Sequence, residues 1–149
     1  MLKPNNKVFD ERREIFLTKL DGKAAIIPGA NLVRHHADCE YPFRQDSNFW
    51  YLTGFDEPNA IALFLSHKPK GERFILFVSP KDVINEVWNG FRWGLEGAEK
   101  EFNADKAHSI NDFKGLLSGY IGGADELVFS IGKHPRIEKI VLESFRKEI

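Results

Sequence analysis

Two five-residue runs with no polar side chain, Ile61-Ala62-Leu63-Phe64-Leu65 and Phe74-Ile75-Leu76-Phe77-Val78, constrain this chain more than any other feature. A strand with one wet face alternates apolar and polar residues. A run that is apolar at every position reads as a strand covered on both faces. The link between the runs, Ser66 to Arg73, carries Pro69 and Gly71 and suits a hairpin turn. Such a pair is antiparallel and needs helices above and below it, and the rest of the chain supplies them. Residues from about Lys7 to Leu20 read as a helix, with Phe9, Phe16 and Leu20 on one face and Asp21-Gly22 as its stop. Ala24-Ala25-Ile26-Ile27 reads as a short strand before Pro28-Gly29. Further on, Ala107 to Ile110 reads as a strand and Asn111 to Leu117 as a helix closed by Ser118-Gly119. Leu127 to Ser130 reads as another strand. Pro135 opens a final helix with Ile137, Ile140, Val141 and Phe145 on one stripe. Strands mixed with helices predict an α/β fold: a single three-layer domain with a mixed β-sheet flanked by helices. The final helix reaches Ile149 with neither Gly nor Pro to stop it. A natural terminus does this, and so does a domain cut from a longer protein.

Bulk properties narrow the function classes. The 149 residues fit one domain with a sizeable core. With 21 Lys and Arg against 22 Asp and Glu, the formal charge is -1. No basic field attracts phosphate backbones, so nucleic acid is not expected as a partner. No stretch is long enough to span a membrane, and the N-terminus lacks an apolar signal core. Cys39 is the lone cysteine, which excludes an internal disulfide and suits a reducing cytoplasm.

Two segments are too dense to be ordinary core. In Tyr41-Pro42-Phe43-Arg44-Gln45-Asp46-Ser47-Asn48-Phe49-Trp50-Tyr51-Leu52-Thr53-Gly54-Phe55, six of fifteen residues are aromatic and surround a polar Arg-Gln-Asp-Ser cluster. Pro42 keeps Tyr41 extended. Ser47 is expected to cap a short helix and Gly54 to stop it. Arg44 is expected to fix the aromatic loop through backbone carbonyls, although it could also hold a carboxylate. The second segment, Glu86 to Ala98, sets Trp88 and Trp93 among three glycines, Gly90, Gly94 and Gly97. Its tryptophans either present a rigid binding surface on tight turns or plug the sheet edge. Arg92 either stacks or clamps a carboxylate, or pairs with Glu86 or Glu96.

The first segment, followed by Glu57-Pro58-x-Ala60, resembles the amino-terminal domain of the aminopeptidase P family, the Xaa-Pro aminopeptidases of the creatinase/prolidase group. Glu86-x-Trp88-x-Gly90-x-Arg92-x-Gly94-x-x-Gly97-Ala98 is similar to the second signature of the same domain. Arg12-Arg13 and Asp38 also match, and the resemblance covers nearly the whole chain. It implies a ribonuclease H-like domain spanning residues 1–149 that is itself non-catalytic. It implies a manganese-dependent metallopeptidase whose two metal ions sit in a separate carboxy-terminal domain, absent here, which removes the residue before proline. The amino-terminal domain is then expected to serve subunit association, in a dimer or tetramer, and to form part of the substrate pocket. By the same resemblance Trp88 and Arg92 line that pocket, while Arg44, Gln45, Ser47 and Gly54 are structural. A stand-alone peptide- or protein-binding module without hydrolase activity is the alternative, and the reading frame after Ile149 distinguishes the two.

Within the chain itself, His35-His36-x-x-Cys39 is the one cluster of soft ligands. A structural zinc site needs about four ligands at set spacing, and His67, His108 and His134 are scattered. A Cys39 nucleophile beside His36 lacks an orienting partner. The segment is expected to be a polar loop with Cys39 semi-buried, and no catalytic or metal-binding residue is expected in this chain.

Overall fold

The computed structural model describes residues 5–31, 34–35, 39–40, 43–81 and 91–148. Helix α1 spans Asn6–Leu20 and stops at Asp21, which adopts a left-handed φ of 45° and returns its N–H to Leu17. Strand β1 is Ala24–Pro28. Strands β2 (Arg34–His35) and β3 (Cys39–Glu40) pair antiparallel as a separate ribbon. Then come α2 (Ser47–Thr53), β4 (Ile61–Leu65), β5 (Phe74–Val78), α3 (Gly94–Phe102) and β6 (Lys106–Ser109). A 3-10 turn at Ile110–Asp112 leads into α4 (Phe113–Ile121), β7 (Leu127–Val128) and α5 (Pro135–Glu148).

The main sheet has the order β6-β5-β4-β1-β7. Strand β4 is antiparallel to both β1 and β5, with Ile26 opposite Leu63 and Leu63 opposite Ile75. Strands β7 and β6 run parallel to β1 and β5 respectively. The sheet is therefore mixed, as the hairpin between the two apolar runs requires.

Alternation along the strands divides the core in two. Ala25, Ala62, Phe64, Phe74, Leu76 and Val78 point to one face, against Leu17 and Leu20 of α1, Phe49 and Leu52 of α2, and Ala98 and Phe102 of α3. Ala24, Ile26, Leu63, Leu65, Ile75 and Phe77 point to the other, against Phe113, Leu117 and Ile121 of α4 and Val141 of α5. Every residue of β4 and β5 is buried. Helices on both faces explain why those two runs carry no polar side chain.

Several elements depart from the sequence reading. Helix α1 buries Phe9, Arg13, Leu17 and Leu20, with Phe16 only partly covered at its edge. An arginine therefore takes a place in the buried stripe. Helix α4 begins two residues late and runs straight through Ser118-Gly119, because Leu117 and Ile121 pack into the core one turn apart and outweigh the weak propensity of glycine. Strand β7 has two residues rather than four. On α5 it is Ser144, not Phe145, that is buried beside Val141. Helix α3 was hidden by its glycines. Arg34–His35 and Cys39–Glu40 pair as a ribbon; the expected polar loop at residues 36–38 and the expected semi-burial of Cys39 lie outside the described residues.

Candidate functional site

The two dense segments meet on the α1–α2–α3 face of the sheet. Their junction begins at Gln45, whose side-chain amide is fully used. Its Oε1 accepts the N–H of Ala30 at 2.7 Å and that of Asp46 at 3.0 Å. Its Nε2 donates to the carbonyls of Phe55 at 3.0 Å and Glu57 at 2.9 Å. Two donors and two acceptors exhaust the amide. One side chain thus ties the end of β1 to the segments before and after α2.

The cap of α2 is Asp46, which accepts the Phe49 N–H at 3.0 Å. Ser47, expected to cap, is the first helical residue and exposed. An Asp one position earlier does the same job, and the carboxylate also suits the positive end of the helix. Gly54 ends α2 with φ 68° and an N–H to Trp50 O at 2.8 Å. A Cβ there would lie 2.7 Å from Cε2 of Phe9, so the position needs glycine for conformation and for space.

Two arginines of α1 hold the carboxyl end of α2. Arg12 lies 4.2 Å from the Tyr51 ring centroid and donates to Tyr51 O at 3.2 Å. Arg13, only 4 % exposed, donates to Leu52 O at 2.9 Å, pairs with Asp10 and lies 4.4 Å over Phe74. Terminal helix carbonyls have no partner within the helix and carry partial negative charge, so guanidinium donors answer both needs. Burial lowers the pKa of Arg13, and Asp10 opposes that shift.

Glu57 joins the two segments. It is 1 % exposed and accepts the backbone N–H of Trp93 at 2.6 Å, at the start of α3. A buried carboxylate must be well bonded to be tolerated, and a helix N-terminus is a favourable place for one. Edge-on ring pairs run alongside: Phe49 to Phe55, Phe55 to Phe102, Phe102 to Trp93 and Trp93 to Phe91, with centroids 4.9 to 6.5 Å apart. Trp93 is thus core packing, the plainer of its two expected roles.

The outer side of this junction is a shallow open groove of about 500 Å³ lined by Phe43, Arg44, Gln45, Ser47, Trp50, Tyr51 and Asp56. Trp50 and Tyr51 are about half exposed. Arg44 is exposed as well, and among the described residues no carbonyl accepts from it. The expected loop-fixing role belongs to Gln45, Arg12 and Arg13 instead. Arg92 is partly exposed and donates to Phe91 O at 3.2 Å, while Glu96 pairs with Lys100. Trp88 and Glu86 lie outside the described residues. Among the described residues, no three His, Cys, Asp or Glu side chains lie together as metal ligands, and no helix is long and apolar enough to cross a membrane.

The sequence names Asp46, Arg13 and Glu57 only as parts of matching motifs; it does not show that Asp46 caps α2, that Arg13 holds Leu52 O or that Glu57 holds the Trp93 N–H. Only the packing shows which polar residue turns inward.

Comparison with known proteins places this geometry. Residues 9–129 match the family described as aminopeptidase P, N-terminal domain. The chain is 42% identical over 118 residues to the Xaa-Pro aminopeptidase of Haemophilus influenzae, covering 78% of this chain and 27% of that protein. It is 33% identical over 143 residues to the Xaa-Pro aminopeptidase of Escherichia coli, covering 93% of this chain and 32% of that one. The fold superposes on zinc-substituted E. coli aminopeptidase P in complex with product, with a TM-score of 0.90 at 30% identity over 98% of this chain and 33% of that one. The chain therefore spans about a third or less of the relatives it matches.

Proposed function

The chain belongs to the aminopeptidase P family through its N-terminal domain, and on that premise we propose that it is the non-catalytic domain of a manganese-dependent Xaa-Pro aminopeptidase. The observation that carries this reading is the buried Glu57–Trp93 bond beside the saturated Gln45 amide. Gln45 and Asp46 of the first segment and Glu57 just beyond it are spent on construction. They weld the loop before α2 to the start of α3, and the residues next to the weld are left to meet a partner. Among the described residues no three His, Cys, Asp or Glu side chains lie together. In this reading the metals and the hydrolytic step belong to a carboxy-terminal domain beyond this chain.

The domain's own contribution is a wall of the substrate pocket, with Trp88 and Arg92 facing a peptide that has proline in second position. Subunit association in a dimer or tetramer and a cytoplasmic location complete the proposal. A tryptophan offers an apolar face at small entropic cost, and a guanidinium binds a peptide carboxylate or carbonyl. Replacing Trp88 with Ala in the full-length enzyme tests this. The expected result is a fall in kcat/KM on the order of tenfold, equivalent to about 1.4 kcal/mol, with the thermal midpoint of the 149-residue chain hardly changed. A core role would instead cost roughly 3–5 kcal/mol of stability and leave kcat/KM of the folded fraction intact.

A further inference from the structure

We propose that Glu57 is a positioning residue for substrate binding: its carboxylate fixes the turn that carries Arg92, and so sets how well the pocket holds a carbonyl or carboxylate oxygen of the peptide. The proposal rests on the reading above, in which Arg92 faces the peptide of an Xaa-Pro aminopeptidase. Glu57 is buried and acts through its neighbour. Its Oε2 accepts the Trp93 N–H at 2.6 Å, and Trp93 directly follows Arg92. Glu57 is itself held in place: it is 1% exposed, and its carbonyl accepts from Gln45 Nε2 at 2.9 Å. Gln45 Oε1 in turn accepts the Ala30 N–H just beyond β1. A chain of hydrogen bonds therefore runs from the end of a sheet strand, through Gln45 and Glu57, to the backbone beside Arg92.

The rest of the turn is closely packed. Trp93 stands at the cap position of α3, and its own side chain caps nothing. Its indole lies edge-on to both Phe91 and Phe102, with centroids 5.0 and 5.2 Å away. A Cβ on Gly97 would lie 3.0 Å from Cβ of Trp93. From the other side Gly94, at φ 72°, comes so close to Lys81 that a Cβ there would lie 2.9 Å from Cβ of Lys81. The Lys81 ammonium sits 5.1 Å over the Phe91 ring. The residues on either side of Arg92 are thus pinned, while Arg92 is partly exposed and donates to Phe91 O at 3.2 Å. A guanidinium binds through a rigid fork, so a small shift of its base disturbs every bond it makes to a ligand. Stability alone does not call for an acid at position 57. Glutamine has nearly the same shape and accepts the same N–H without the cost of burying a charge. The carboxylate adds a shorter and stronger bond at the positive end of a helix, and a tight anchor is what positioning requires.

Steady-state kinetics of the full-length enzyme on an Xaa-Pro peptide with added manganese test the proposal. Wild type is compared with Glu57→Gln, Arg92→Ala and the double variant, each checked for folding by a thermal scan. Glu57→Gln is expected to raise KM roughly five- to tenfold with kcat within about twofold of wild type, the signature of lost binding rather than lost chemistry. In the Arg92→Ala background the same substitution should change KM by less than about twofold, because the residue it positions is gone. Gly94→Ala disturbs the turn from the Lys81 side with the carboxylate intact. It should raise KM in the same Arg92-dependent way, and it decides the matter if Glu57→Gln does not fold. A merely structural Glu57 lowers the thermal midpoint and the active fraction but leaves KM of the folded enzyme unchanged, which overturns the proposal. So does a rise in KM that is equal with and without Arg92. Wild type that cleaves the peptide with the same KM as Glu57→Gln defeats the positioning role alone. Wild type that cleaves no Xaa-Pro peptide defeats the functional reading, and this proposal with it.

Discussion

Replacing Gly54 with Ala probes how the first dense segment is locked. Two costs add. A non-glycine residue in the left-handed region, here at φ 68°, costs roughly 1–2 kcal/mol. The new Cβ also meets Cε2, Cζ and Cδ2 of Phe9 at 2.7, 2.8 and 3.0 Å. Phe9 has little room to yield: it is 5% exposed and packed edge-on against Trp50 at 5.4 Å. Overpacking of this kind costs about 1–3 kcal/mol, for a total of about 2–5 kcal/mol. That is a large share of the stability of a typical domain, about 5–15 kcal/mol. In a chain of this size it corresponds to a drop in Tm of roughly 5–20 °C. Urea titration measures it as a lower midpoint with an unchanged slope. Adding Phe9→Leu separates the two costs. The steric part should be relieved, giving a coupling of about 1 kcal/mol or more, while the conformational part stays. An unchanged midpoint for Gly54→Ala, or a cost indifferent to Phe9→Leu, refutes the account of this turn.

Asp46→Ala should destabilise the domain by about 1 kcal/mol through loss of the cap, while Ser47→Ala leaves the urea midpoint unchanged; the reverse order would return the cap to Ser47. Burial lowers the pKa of His67, His108 and His134, so the folded state favours neutral imidazole and the unfolded state binds more protons below the ordinary value of about 6.5. Their contribution to stability is complete above that pH and declines as pH falls through the lowered folded values. The urea midpoint should therefore drop between about pH 7.5 and 5.5, and His67→Gln should flatten part of that drop; a midpoint that rises on acidification contradicts the burial of these rings.

The layered fold was legible because it follows from local chemistry. The apolar runs at Ile61 and Phe74 became the strands they suggested, to the residue. Asp21 and Gly54 stopped their helices through left-handed backbone. What stayed hidden depends on contacts distant in sequence. Arg13 reads as a solvated helix residue until Leu52 O, Asp10 and Phe74 are placed around it. Glu57 lies 36 residues from the amide it holds. Helix α3 begins at Gly94, where φ is 72°, and its glycines suggested turns; Leu95, Ala98 and Phe102 carry its packing. The site was legible as two motifs that match one family. Which of their polar residues build and which face outward was not, because periodicity does not reveal the direction of a side chain in a loop.

The most direct test of the central claim is peptide hydrolysis. The 149-residue chain and the full-length chain are each incubated with an Xaa-Pro peptide and added manganese, and release of the first residue is followed. The account predicts turnover by the full-length chain and none above the metal-only blank by the short one. Turnover by the 149-residue chain that survives repurification would contradict it, since this domain would then hold chemistry of its own.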